Sequence, residues 1–317
     1  MRKLLIFLLF PFVVFSQSLT VEVQQLIQKK QYVKAEQLAK NIVKKSPNDL
    51  MVIELLGDAY GHQKKWDEAI EQYEKLVEFQ DDNANYHYKY GGAMGMKALE
   101  VNKFKALGLI GDVKEAFLKA AELDPKYIDV RWALVELYMQ LPGIVGGSMK
   151  KSLHYANELE RLSKVDGFLA KGYIYEYDKQ PDQAEYYYKK AIEVGGSLTC
   201  YEKLSALYEE QNEPAKSIAT IEKSYARHKN NALHYQIGKV SADYNIQLDK
   251  GERCLKMYIK NHTVKDGVPV EWAYFRLAQI YKHRFNKEEA LKWIDKALAI
   301  RPQFEQALVE RDIIGTL

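Results

Sequence analysis

The stretch LPGIVGGSMKK, Leu141–Lys151, puts three glycines, a serine and two lysines into eleven residues. Such residue types can wrap a phosphate, because glycines let backbone N–H groups converge and lysine adds charge. A phosphate loop of the Walker kind requires G-x-x-x-x-G-K-[ST] between a strand and a helix. Counting from Gly143, Ser148 stands where the second glycine belongs and Met149 where the lysine belongs. The preceding RWALVELYMQ has the apolar period of a helix, not of a strand. The loop therefore reads as a connector, its glycines permitting positive φ and Ser148 capping the helix that follows. The alternative reading is an anion or small ligand held at Pro142–Ser148, or an enzymatic role centred there.

Other chemistry has still less support. The seven histidines are scattered, without an H-E-x-x-H or H-x-x-x-H pair, so no metal site is expected. G-x-S-x-G is absent, and neither Cys200 nor Cys254 carries a nucleophile or metal-ligand spacing. The two cysteines read as small apolar side chains. No catalytic residue and no cofactor is assigned, and the expectation is a protein that is not an enzyme.

The first residues, MRKLLIFLLFPFVVFSQSLT, have the layout of an export signal: Arg2 and Lys3, then twelve apolar residues, then Val14 and Ser16 before a cut at Gln17. The apolar run is short of the ~20 residues that cross a membrane. The expectation is a chain that is exported, periplasmic or secreted, without stable membrane insertion once residues 1–16 are removed. Without Arg2 and Lys3, 44 basic residues face 43 acidic ones, and the formal charge falls from +3 to +1. A nucleic-acid partner normally demands a clear basic excess, so none is expected.

What positions the remaining residues is a period. ELLGDAYGHQKKWDEAIEQYEKLVEF (Glu54–Phe79) and RLAQIYKHRFNKEEALKWIDKALAIRP (Arg276–Pro302) share Leu, a small residue, an aromatic three further on, and Ala nine after that. Ala35 to Ala69 is one full period of 34 residues. The pattern resembles the tetratricopeptide repeat, a pair of antiparallel helices, and recurs near 17–49, 50–83, 84–127, 128–164, 165–197, 198–230, 231–270 and 271–303. Residues 304–317 would cap the array. The third repeat carries about ten extra residues between its helices and the seventh is weak. The predicted fold is all-α, a right-handed solenoid of about eight helix pairs, in which stacking buries faces that no single pair can bury alone. The segment from His87 to Ser152, with its glycine-bearing first helix and PG-x-x-GG insert, is similar to an exported bacterial subgroup of that family.

The resemblance implies a protein-binding scaffold of the bacterial envelope, with the first helix of each repeat lining a concave groove. Inward positions there supply Tyr88, Trp132, Glu136, Tyr173, Glu176, Tyr177, Tyr235, Trp272 and Phe275 as candidate partner-binding residues, or as packing between neighbouring first helices. Glu54, Asp58, Asp129, Asp166, Glu202 and Glu209 lie among them and imply a basic or neutral partner. The family's carboxylate clamp of Lys, Asn and Arg is absent: Glu54, Leu55 and Asp58, then Tyr88, Lys89 and Gly92, hold those positions.

Overall fold

A computed structural model describes the backbone of residues 10–317 and the side chains of residues 19–317. The expected export signal, residues 1–16, lies outside the described side chains, and its first nine residues lie outside the described backbone. The described residues form α-helices joined by short turns and divide into two compact units, Met1–Leu162 and Ser163–Leu317.

The first unit contains four antiparallel pairs: α1 (Phe10–Gln28) with α2 (Tyr32–Lys45), α3 (Leu50–Gly61) with α4 (Trp66–Phe79), α5 (Ala84–Glu100) with α6 (Lys103–Leu123), and α7 (Ile128–Gln140) with α8 (Met149–Leu162). The second contains α9 (Lys164–Tyr177) with α10 (Pro181–Val194), α11 (Leu198–Glu210) with α12 (Pro214–His228), α13 (Ala232–Tyr244) with α14 (Leu248–Lys260), and α15 (Val270–His283) with α16 (Lys287–Ile300). A last helix, α17 (Glu305–Gly315), packs on α16. The all-helical repeat solenoid expected from the sequence is the observed fold.

Contact inside a pair depends on a missing side chain. A Cβ built on Gly57 of α3 would stand 2.5 Å from the ring of Tyr73 on α4. Gly172 is pressed in the same way by Tyr188, and Gly238 by Leu255. Ala35, Ala69, Ala184 and Ala290 are fully buried at the matching place on the second helices. The weak seventh repeat is thus a complete pair, closed by Gly238 against Leu255 and by Gly251 against Ser241.

Turns inside most pairs repeat a single geometry. Lys30, Lys64, Lys179, Asn212 and Phe285 adopt positive φ, and the next residue's N–H reaches back five positions to a carbonyl. In four of these turns that carbonyl belongs to the motif tyrosine: Lys65 to Tyr60, Gln180 to Tyr175, Glu213 to Tyr208 and Asn286 to Tyr281. This is the Schellman ending of a helix, usually built on glycine. The sequence holds lysine, asparagine or phenylalanine there instead, at a steric cost.

Ion pairs between neighbouring pairs recur near the repeat length. Glu36 meets Lys65 at 2.6 Å, Asp58 meets Lys89 at 2.6 Å, and Glu209 meets Lys239 at 2.9 Å. Asp67 with Lys97, Asp243 with Arg276, and Glu252 with Arg284 continue the pattern. Glu36 is buried; desolvation alone would raise its carboxyl pKa, but Lys40, Lys65 and Gln63 win and hold it at about 2.

The extra length of the third repeat is helical. The sequence places it between the helices, yet only Val101 and Asn102 lie there; α5 and α6 are themselves 17 and 21 residues long. Asn102 caps α6 by accepting from the Lys105 N–H.

Three measurements test these assignments. Ala69→Leu or Ala290→Leu should overpack a helix pair and cost ~1–3 kcal/mol, lowering the thermal midpoint. Lys64→Gly and Phe285→Gly should each raise stability by about 0.5–1 kcal/mol in urea unfolding, because glycine adopts their backbone conformation without strain. The Glu36 pKa is lower in the folded chain than its ordinary value near 4.5, so its contribution is present above that pH and lost as pH falls toward about 2. Urea midpoints measured across that window should fall more steeply for the wild type than for Glu36→Gln.

Candidate binding surface

On the first unit, the inward positions of α3 and α5 form a closed polar network. The Lys89 ammonium lies 2.6 Å from both Glu54 and Asp58. The Tyr73 hydroxyl donates to Asp58 at 2.7 Å, the Asn85 amide donates to Glu54 at 2.8 Å, and the Tyr127 hydroxyl donates to Asn85 at 3.2 Å. Burial, and then Asp58, push the Tyr73 phenol far above its ordinary range. The predicted acidic positions Glu54 and Asp58 are therefore not a free negative surface. They share one ammonium group.

Tyr88 lies half-buried beside this network, its ring 5.2 Å from Tyr127 and 6.0 Å from Phe117. Burial raises its phenol, and Asp129 and Glu136 raise it further. Next to Tyr88 opens a cavity of about 500 Å³. Its wall is mostly apolar and comes from α5, the lengthened α6 and α7, with Trp66 and Gly61 at one end. Glu136 lies in the wall, and Trp132 is half-buried on the same helix α7. The Trp66 indole N–H is buried without an acceptor. Sequence reasoning missed this cavity; its signal was the glycine run YGGAMG in α5, noticed there only as a mark of resemblance.

On the second unit, Tyr173 and Tyr177 stand one helical turn apart on α9 with ring centroids 6.1 Å apart, and Tyr177 is 48% exposed. Glu176 accepts a hydrogen bond from Tyr188, the side chain that presses on Gly172. Two expected groove residues lie in the core instead. Tyr235 is 5% exposed and packs on Tyr258, while Phe275 is 5% exposed and packs on Phe304. Tyr258 belongs to the second helix of the same pair and Phe304 to the start of the terminal cap, so packing claims both rings. Trp272 is half-buried and meets Phe275 and Phe304 edge-on, in the same aromatic cluster under α17.

Charge on this unit is also mostly matched. Glu209 is held by Lys239, and Asp166 belongs to the start of α9, where the Ser163 hydroxyl accepts from its N–H. Glu202 is exposed in a shallow hollow lined also by Lys239 and Tyr201. The predicted bias toward basic partners therefore does not extend along every inward position.

The glycine insert turns its polar backbone inward. The N–H groups of Val145 and Gly147 both donate to the Pro142 carbonyl, Gly146 donates to Gly143, and Ser148 donates to Tyr138 at 2.8 Å. Gly146 takes φ +101°, and a Cβ on Gly147 would overlap the Leu141 carbonyl. The Ser148 hydroxyl accepts from the Lys151 N–H, the capping expected of it. These donors are spent within the turn, which leaves them no anion to hold. Cys200 and Cys254 are free thiols, and burial pushes the Cys254 thiol up, away from the reactive thiolate. Among the described residues no group of three or more His, Cys, Asp or Glu could hold a metal, and no helix is long and apolar enough to cross a membrane.

Comparison with known proteins agrees with the helix pairing. Models of the TPR repeat and the tetratricopeptide repeat match residues 57–97, 165–194 and 272–304. The fold is similar to that of a tetratricopeptide repeat protein from Parabacteroides merdae ATCC 43184, at 15% identity and a TM-score of 0.51, over 94% of this chain and 98% of that one. It is less similar to YrrB, described as a TPR protein with an unusual peptide-binding site, at 18% identity and a TM-score of 0.43 over 62% of this chain and 98% of that one. MamA gives 21% identity and a TM-score of 0.44 over 56% and 90%. No curated protein sequence matches the chain. By its motif positions, its helix pairs and these matches, the chain carries tetratricopeptide repeats.

Proposed function

We propose that the protein is a non-catalytic scaffold of the bacterial cell envelope, exported through residues 1–16, that holds a segment of another protein against the inward faces of its first helices. Tetratricopeptide repeats bind proteins and peptides, and matches to them recur in this chain. The observation that carries the reading is the aromatic side chains that the core of each unit leaves out: Tyr88 and Trp132 on α5 and α7 of the first unit and, separately, Tyr173 and Tyr177 on α9 of the second are half-buried or exposed. Rigid aromatic side chains with one face open are the groups that dominate binding energy at protein interfaces. The internal bonding of the glycine insert weighs against a role centred on Pro142–Ser148.

Crosslinking the mature chain from Gln17 onward in its native envelope, followed by mass spectrometry, should capture a discrete protein. Trp132→Ala combined with Tyr173→Ala should abolish that capture while leaving the helical content unchanged. Capture that persists in the double variant would overturn the role given to the aromatic set. A capture lost with Gly146→Val alone would return the weight to the insert.

A further inference from the structure

Gly92 and Gly95 sit in the middle of α5, where glycine weakens a helix relative to alanine. Packing accounts for their neighbour Gly91, whose Cβ would lie 3.0 Å from both Ala116 and Phe117. It does not account for Gly92, whose Cβ would meet nothing within 4 Å, or for Gly95, where the nearest atom is Val113 at 3.7 Å. Both line the cavity of about 500 Å³. The missing side chains keep that space open and let an occupant approach the α5 backbone closely. Around it the wall is Met96, Leu99, Ile110, Val113 and Leu137, and its charged members are Lys89 and Glu136. Lys89 is already shared by Glu54 and Asp58, so carboxylates outnumber ammonium groups around it, two to one.

We propose that this cavity receives the apolar side of an amphipathic helix from a partner protein, one whose apolar stripe is flanked by lysine or arginine. An extended strand spreads the side chains of one face roughly 7 Å apart along a line. A helix gathers those at i, i+3, i+4 and i+7 into a compact stripe, which suits a compact, half-open cavity. Leu99 is 70% exposed and Met96 is 42% exposed, so this part of the apolar wall is open at the protein surface, where a partner's helix can reach it. The flexible Met96 thioether can adapt to such a surface. The basic flank meets the carboxylate excess. This inference rests on the scaffold reading and names the partner's chemistry at one place in it.

The probe is a fluorescein-labelled synthetic helix of leucine and lysine, with leucine at helix-face spacing, titrated with the mature chain and followed by anisotropy. Three comparators accompany it: a leucine–glutamate helix of the same pattern, a leucine–lysine peptide in strict alternation, and dodecyltrimethylammonium. The leucine–lysine helix should bind the wild type, and both peptide comparators should bind about tenfold more weakly or worse. Gly92→Leu should weaken helix binding by about tenfold or more with its melting midpoint maintained. Gly92→Ala, whose Cβ meets nothing, is the folding control and should bind more tightly than Gly92→Leu. Equal binding by wild type and Gly92→Leu would overturn the proposal, as would equal binding of the leucine–glutamate helix or tighter binding of the alternating peptide. Binding of the alkylammonium without any helix binding would assign the cavity to a small amphiphile instead. An envelope partner still captured by Gly92→Leu but lost with Trp132→Ala and Tyr173→Ala would leave the scaffold standing and remove only the role given to this cavity.

Discussion

Two antiparallel helices come close enough to share a core where a small residue faces the partner helix, and in several pairs that residue has no side chain at all. At Gly57, Gly172 and Gly238 that absence admits Tyr73, Tyr188 and Leu255, and fully buried alanines do the same from the opposite helix. Everything else depends on this approach. The close pair brings the next pair's helices into register, and stacking then buries what the pair leaves exposed. Tyr188 shows how far one contact serves: its ring fills the space above Gly172 while its hydroxyl donates to Glu176 on the inward face. The packing and the polar surface are thus set by the same side chain.

Charge follows the same neighbour-to-neighbour rule. Pairs such as Glu36 with Lys65 and Glu209 with Lys239 each tie one repeat to the next, at nearly the repeat spacing. Solvent-screened pairs such as Glu209 with Lys239 contribute little one by one, unlike the pair on buried Glu36. Their larger effect is on what remains available to a partner. A carboxylate that already holds a lysine presents little net charge, which is why a count of acids at inward positions overstates the acidity of the surface. The excess survives near Tyr88, where Glu54 and Asp58 divide a single ammonium between them.

The fold was legible because its determinants are small residues and aromatics at fixed intervals, and those survive in the degenerate repeats. Even the seventh, with only Gly238, Gly251, Ile237 and Leu255 to mark it, forms a complete pair. Individual inward residues were less legible. Register places Tyr235 and Trp132 alike on a first helix, but whether such a ring ends in the core depends on the size of its neighbours, which the period does not encode. Tyr258 and Phe304 decide it for Tyr235 and Phe275. The cavity was illegible for the opposite reason. Glycines that make room for a neighbour and glycines that leave room for nothing look identical in a sequence, and Gly91 and Gly92 are adjacent examples of the two.

Within each unit the main contacts run between consecutive helices and adjacent pairs, so one pair can change while the rest stay. The longer α5 and α6, 17 and 21 residues, supply much of the wall of the cavity beside Tyr88. Such an array can diverge one module at a time, acquiring a new recognition surface by local extension while the common core stays under its older constraint.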